Sequence, residues 1–298
     1  MSNLDIKKQS PDHAVIRFWQ RMPILIRAIL TGLLVSTIGV MAWMVIIILV
    51  PSPWFIVVMG GVLILFWKYF SGNWWSKATA KDRSNSFREM KLATNVWKWS
   101  LLDAVLFVVV VQSGFVVTFQ IMKFPAEAFA SEYNFDTMPL WLAWLVIGMA
   151  SLVAGICEET GFRGYMQVPL EKHYGPGVGI TIVSIMFLVI HLNQAWAPPV
   201  LFHLFAMSVL LGILAYSSGS LIPSMIGHAV MDIFNFSYWW SDVAGKFERR
   251  TIFETGIDFY FIGWFLIFGT SVVLFFWIAR KIRTVRRQLC PSSTQFKL

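Results

Sequence analysis

The sequence predicts an all-α fold, a polytopic transmembrane helical bundle of about eight spans. Three observations predict it. Of 298 residues, 57% are hydrophobic and only 13% are charged, roughly half the charged share of an ordinary soluble domain. Apolar stretches long enough to cross a bilayer core recur along the whole chain, near 25–50, 53–71, 99–121, 140–165, 178–193, 199–216, 220–236 and 257–279. The charges, finally, alternate in sign from one connection to another. Lys7, Lys8, Arg17 and Arg21 precede the first span, Lys77, Lys81, Arg83, Arg88 and Lys91 separate the second from the third, and Arg280, Lys281, Arg283, Arg286 and Arg287 follow the last. The 123–138 connection instead carries Glu127, Glu132 and Asp136 with a single Lys123. Basic connections mark the cytoplasmic side, and eight spans place the three basic segments on one face and the acidic one on the other.

This pattern predicts an integral membrane protein with both termini in the cytoplasm. Short loops and the lack of an added soluble domain suit a bacterial inner membrane. The 237–256 connection, with Lys246, Arg249 and Arg250, breaks the pattern. The net charge of +8 then serves anionic lipid, so the lipid bilayer is the expected partner and nucleic acid is not. A polar, charged segment with no small-residue cleavage site precedes the first span, which therefore does not read as a removable signal peptide. Two cysteines, Cys157 and Cys290, are too few for a disulfide framework. Cys290 does not stand fourth from the end, so the C-terminus is no prenylation box.

Residues 1–139 read as N-terminal membrane helices with a basic interfacial loop, 140–236 as a core, and 237–298 as a final span with a basic cytoplasmic tail. The 72–98 connection holds Trp74, Trp75 and Trp97, and sets Phe87, Met90, Ala93 and Val96 at helical spacing. It reads either as a helix lying in the interface or as a loop flanked by belt tryptophans. The first three spans offer Arg27, Lys68 and Asp103, each placed near an end and expected to reach the interface.

Ionisable groups at membrane depth belong to the core: Glu158, Glu159, Arg163, His191, His203, His228 and Asp232. A charge near a helix centre costs about 2.5–3.5 kcal/mol on insertion scales, against about 0.3–0.6 returned by each Leu or Ile. Such residues are functional candidates by default. Glu159 and Arg163, four apart, share a helix face and can pair. Glu158, rotated by about 100°, points elsewhere. The turn Tyr174-Gly175-Pro176-Gly177 reverses the chain, which brings Glu158 and His191 to similar heights if the first helix continues to about Lys172 past a kinking Pro169. His228 and Asp232, again four apart, share a face of the seventh span. All four can converge on one polar cleft.

A carboxylate beside a histidine can deprotonate water, and a second histidine with a hydrogen-bonding neighbour can hold an oxyanion. Those are the parts of a peptide-bond hydrolase without a serine or cysteine nucleophile. Glu158, His191 and His228 also make a plausible catalytic zinc shell, although the His-Glu-x-x-His helix is missing. Cys157 reads as a packing residue, Phe187 as a wall of the cleft, His203 as a satisfied or interfacial histidine, and His173 and His13 as solvated.

Glu158-Glu159-x-x-x-Arg163, Phe187-x-x-x-His191 and His228-x-x-x-Asp232 together resemble the ordered three-motif signature of the CAAX-protease and bacteriocin-processing (CPBP) family of intramembrane proteases. Gly161, Phe162, Gly164 and Gln167 fit the family's setting around its arginine. The resemblance covers about residues 140–236, which it identifies as the catalytic core. It implies an endopeptidase acting on a membrane-associated peptide or protein, with Glu158 and His191 activating water, and His228 and Asp232 holding the carbonyl and its oxyanion. Glu159 and Arg163 would brace the site. Cofactors are none, with zinc as the alternative. The family's last position is Asn or Asp, and an ionised Asp232 cannot donate, so it is expected to orient His228. The rival reading is a non-catalytic membrane immunity or interaction protein of the same family.

Overall fold

A computed structural model describes residues 17–88, 92–122, 135–192, 198–245 and 250–289. Every regular element among them is helical. The chain runs through α1 (Ile24–Leu49), α2 (Trp54–Phe70), α3 (Lys77–Phe87), α4 (Thr94–Ile121), α5 (Leu140–Tyr174), α6 (Pro176–Ile190), α7 (Pro198–Ser218), α8 (Ile222–Phe234), α9 (Ile252–Thr255) and α10 (Phe259–Leu289).

Proline and glycine set the ends. Pro139 precedes α5, Pro176 opens α6 and Pro223 sits in the first turn of α8, where a missing N–H costs nothing. Gly175 and Gly219 follow α5 and α7 with φ of 85° and 73°, a conformation that a side chain would disfavour.

Five helices, α1, α4, α5, α7 and α10, are long and apolar enough to cross a membrane. The other three expected spans are the shorter α2, α6 and α8, of 17, 15 and 13 residues. Eight apolar helical segments thus stand where eight spans are expected. The helix bearing Glu158 continues past Pro169 to Tyr174.

Two expectations are corrected. The 72–98 connection does contain a helix, but Phe87 and Val96 fall in two different ones. Its helix is α3, which stops at Arg88 in the left-handed region (φ 50°), and Val96 already belongs to α4. Met90 lies outside the described residues. Arg83 is buried, its guanidinium donating to the carbonyls of Trp74, Trp75 and Ser76 and lying over Tyr69. Asp103 does not reach the interface. It is fully buried in α4, and neither carboxylate oxygen has a hydrogen-bond partner among the described residues.

Close backbone approach positions the site. On α1, the residues Ala28, Gly32, Ser36, Gly39 and Trp43 form a buried, mostly small-residue stripe, which lets helices pack tightly in lipid. A Cβ at Gly161 would stand 2.5 Å from the Gly32 carbonyl oxygen and 2.8 Å from the Ser36 nitrogen. On its other side α5 meets α8, where a Cβ at Gly155 would stand 2.8 Å from the Met225 oxygen and 2.9 Å from the Ala229 Cβ. Cys157 packs on Gly39 and is fully buried. Its role here is packing.

Near these contacts α5 widens into π-helical turns, Ala154–Glu158 and Thr160–Met166. Pro169 provides one cause, since its ring excludes the ordinary bond to Tyr165 four residues back. The Tyr165 hydroxyl donates to the Phe70 carbonyl at the end of α2. Such π-turns are frequent at functional sites.

Gly161→Ala forces a methyl into the α1–α5 crossing and is expected to cost about 1–3 kcal/mol, read as a lowered unfolding midpoint in detergent; an unchanged midpoint would refute the contact. Asp103→Leu replaces two unpartnered buried carboxyl oxygens with apolar surface and is expected to raise stability by about 1–3 kcal/mol. A lowered midpoint would show that the carboxylate is held by a partner.

Candidate active site

Glu158 and Glu159 leave α5 in different directions. Glu159 is fully buried, and its Oε1 accepts from Arg163 Nη1 at 2.8 Å, one turn along the same helix. The same oxygen accepts from His228 Nδ1 on α8, also at 2.8 Å. Arg163 Nη2 donates onward to the Ser208 carbonyl (3.2 Å) and hydroxyl (2.9 Å) on α7. One carboxylate therefore ties α5, α7 and α8 together without any exposed atom. Charged donors on a carboxylate give the stronger class of hydrogen bond.

Glu158 is half-buried and lines a cavity of about 120 Å³ together with His191, His228 and Asp232. These side chains come from α5, the C-terminal end of α6, and α8. His191 follows directly on α6, and its Nδ1–H donates to the Phe187 carbonyl at 2.7 Å. A carbonyl only accepts, so the neutral ring carries its lone pair on Nε2. His228 lies between two carboxylates: Nδ1 donates to Glu159, and Nε2 stands on the other side, 3.5 Å from Asp232 Oδ2, an arrangement that suits a doubly protonated ring with an N–H on each nitrogen.

Asp232 faces the ring from the side opposite Glu159. At 3.5 Å it stands at ion-pair rather than hydrogen-bond range, and Glu159 is what orients the ring. Phe187 is more than a wall. Its ring stands 4.5 Å from His191, 6.3 Å from His228 and 5.0 Å from the Arg163 guanidinium, separating the buried ion pair from the cavity.

His203 also lines the cavity. Its Nε2–H donates to Thr118 Oγ1 at 2.7 Å, whose own proton goes to the Gly114 carbonyl, and its ring stacks on Phe115 at 4.5 Å. It is a satisfied histidine, yet it borders the site. His173 is exposed, and His13 lies outside the described residues.

Sequence reasoning did not single out Ser208, Gln112, Asn235 or Trp240. Asn235 carried a legible signal, since 228, 232 and 235 repeat at helical spacing. Ser208 carried none. Val111, Phe115, Val200, Leu204, Met207, Phe236 and Trp240 make the remainder of the lining mostly apolar.

A zinc shell of Glu158, His191 and His228 does not fit this arrangement. Both nitrogens of His228 already face carboxylates, Glu159 and Asp232. Among the described residues no three His, Cys, Asp or Glu side chains group as metal ligands.

The fold and cavity define an integral membrane protein with a glutamate–histidine site enclosed by apolar helices. Residues 139–234 match the family described as type II CAAX prenyl endopeptidase Rce1-like. At family level the match supports a CAAX-protease-type membrane endopeptidase acting on protein or peptide substrates. No curated protein and no solved structure matches the chain.

Removing Arg163 takes its guanidinium away from the fully buried Glu159. Arg163→Ala is expected to cost about 3–5 kcal/mol of stability, measured by denaturant unfolding in detergent. A loss below about 1 kcal/mol would mean that the triad does not hold the helices together.

Proposed function

We propose that this chain is an intramembrane endopeptidase of glutamate type. One observation carries the reading: Glu158, His191, His228 and Asp232, drawn from three helical segments, line one cavity inside an apolar bundle. Glu158 and the His191 Nε2 lone pair take a proton from water. The resulting hydroxide adds to the peptide carbonyl carbon, and the charge on its oxygen is met by His228 Nε2–H. Collapse of the tetrahedral intermediate breaks the C–N bond, and the proton held by Glu158 and His191 passes to the leaving amine. Glu159 and Arg163 hold His228 in place and touch no reacting atom.

The substrate is a membrane-associated peptide or protein with apolar side chains beside the scissile bond. The cavity is smaller than the roughly 300–1,000 Å³ of sites that enclose a whole ligand, so it accommodates the carbonyl and its flanking groups. A longer apolar part of the substrate would lie among the helices or in lipid. The location that suits the basic connections is a bacterial inner membrane with both termini cytoplasmic.

The test is cleavage of a membrane-anchored peptide set by purified protein. Glu158→Gln and His191→Ala are expected to lower kcat by about 10²–10⁴, and a strong zinc chelator is expected to leave the wild-type rate unchanged. Folded variants that cleave as well as wild type would sink the proposal. Loss on chelation with recovery on added zinc would replace the glutamate mechanism with a metal one.

A further inference from the structure

We infer that Asn235 is a catalytic residue of this site, its side-chain N–H donating to the oxyanion that forms on the substrate carbonyl; the inference rests on the endopeptidase reading. Asn235 lies seven residues after His228 and three after Asp232, and all three line the cavity. The site needs a donor there. An ionised carboxylate at Asp232 has only acceptor atoms and opposes a developing negative charge, so His228 Nε2–H would otherwise meet that charge alone. Asn235 is the one amide side chain among the lining residues described.

Its orientation is set by a relay that begins at a group with no alternative. The Trp239 indole N–H can only donate, and it donates to Gln112 Oε1 at 2.5 Å. The Gln112 amide must therefore turn its nitrogen the other way, and that nitrogen donates to Asn235 Oδ1 at 3.1 Å. Asn235 Oδ1 is thereby occupied, which fixes Nδ2 as the donor end. Of its two N–H groups, one has Met231 Sδ at 2.6 Å, a weak acceptor that an oxyanion readily outcompetes.

Local structure supports the same assignment. Asn235–Trp239 is a π-helical turn continuing α8, and both end residues are buried. The turn brings Trp239 back against α4, where Gln112 stands. A buried amide oriented in advance stabilises charge without reorganising during the reaction. Gln112 and Trp239 act through Asn235 and are positioning residues.

The experiment measures kcat and KM separately for wild type, Asn235→Asp, Asn235→Ala and Trp239→Phe on a peptide that wild type cleaves, with unfolding midpoints recorded for each. Loss of one oxyanion donor is expected to lower kcat by about 10²–10³ in both Asn235 variants, with KM changed by less than about threefold. Trp239→Phe keeps an aromatic side chain but removes the indole N–H, which frees the Gln112 amide to rotate, and is expected to lower kcat by about tenfold at unchanged KM. A peptide phosphinate, which mimics the tetrahedral intermediate, should bind these variants more weakly while the intact peptide binds as before. Folded Asn235 variants with wild-type kcat, or with a loss confined to KM, would overturn the inference and leave the endopeptidase reading standing. If both Asn235 variants unfold, Trp239→Phe decides, and wild-type kcat there overturns it. Wild-type protein that cleaves no peptide instead overturns the endopeptidase reading itself.

Discussion

Glu159 has no exposed atom, and a carboxylate so placed must be matched by donors or it opposes folding by several kcal/mol. Arg163 and His228 both meet its Oε1, and the arginine needs a further acceptor, which Ser208 supplies. Each requirement recruits another helix, so the register of α5, α7 and α8 follows from the need to satisfy one buried charge. Stability alone explains this poorly, because apolar replacements of buried ion pairs are often neutral or favourable. What the triad provides is a fixed histidine. With Nδ1 committed to Glu159, the His228 ring presents Nε2 on the cavity side.

The helix that carries Glu159 must come close to α1 and α8 at once, and a regular helix with ordinary side chains could not. Gly155 and Gly161 remove the side chains at the two crossings, and the π-turns change the direction of successive residues between them. Glu158 consequently enters the cavity while its neighbour is sealed among Arg163, His228 and α7. Two adjacent carboxylates thereby occupy opposite environments, one half-buried in the cavity and one dry. Environment, not residue type, separates their roles.

Much of this was legible in the sequence because it is local. The four-residue spacing of Glu159 and Arg163 places them on one helix face wherever that helix lies. The reversal at Gly175 sets Glu158 and His191 at matching heights, and the eight apolar stretches locate the helices. What was not legible depends on neighbours distant in the chain. Ser208 is one of many serines in apolar helices, and only the position of Arg163 gives it a task. Asp103 near a helix end reads as a residue that reaches water, but helix packing closes that route. The π-turns leave no residue-level signature beyond glycine and proline. The i+4 spacing shows Asp232 beside His228, but not Glu159, sixty-nine positions away, which holds the ring at hydrogen-bond distance.

The cavity combines two linings that serve opposite needs. Its polar side gathers Glu158, His191, His228, Asp232 and Asn235, while Phe115, Leu204, Met207, Phe236 and Trp240 supply an apolar side. Hydrolysis requires water and a peptide carbonyl at the same point, and an apolar bundle excludes both unless the protein replaces their lost hydrogen bonds. The fixed tautomer of His191, the His228 ring with an N–H on each nitrogen and the fixed amide of Asn235 provide donors and acceptors already oriented before substrate arrives. In a low-dielectric site such groups act more strongly than in water. The same surroundings make any misplaced polar atom costly. That cost explains why each of these side chains is itself held by a second residue: His191 by the Phe187 carbonyl, His228 by Glu159, and Asn235 by Gln112 and Trp239.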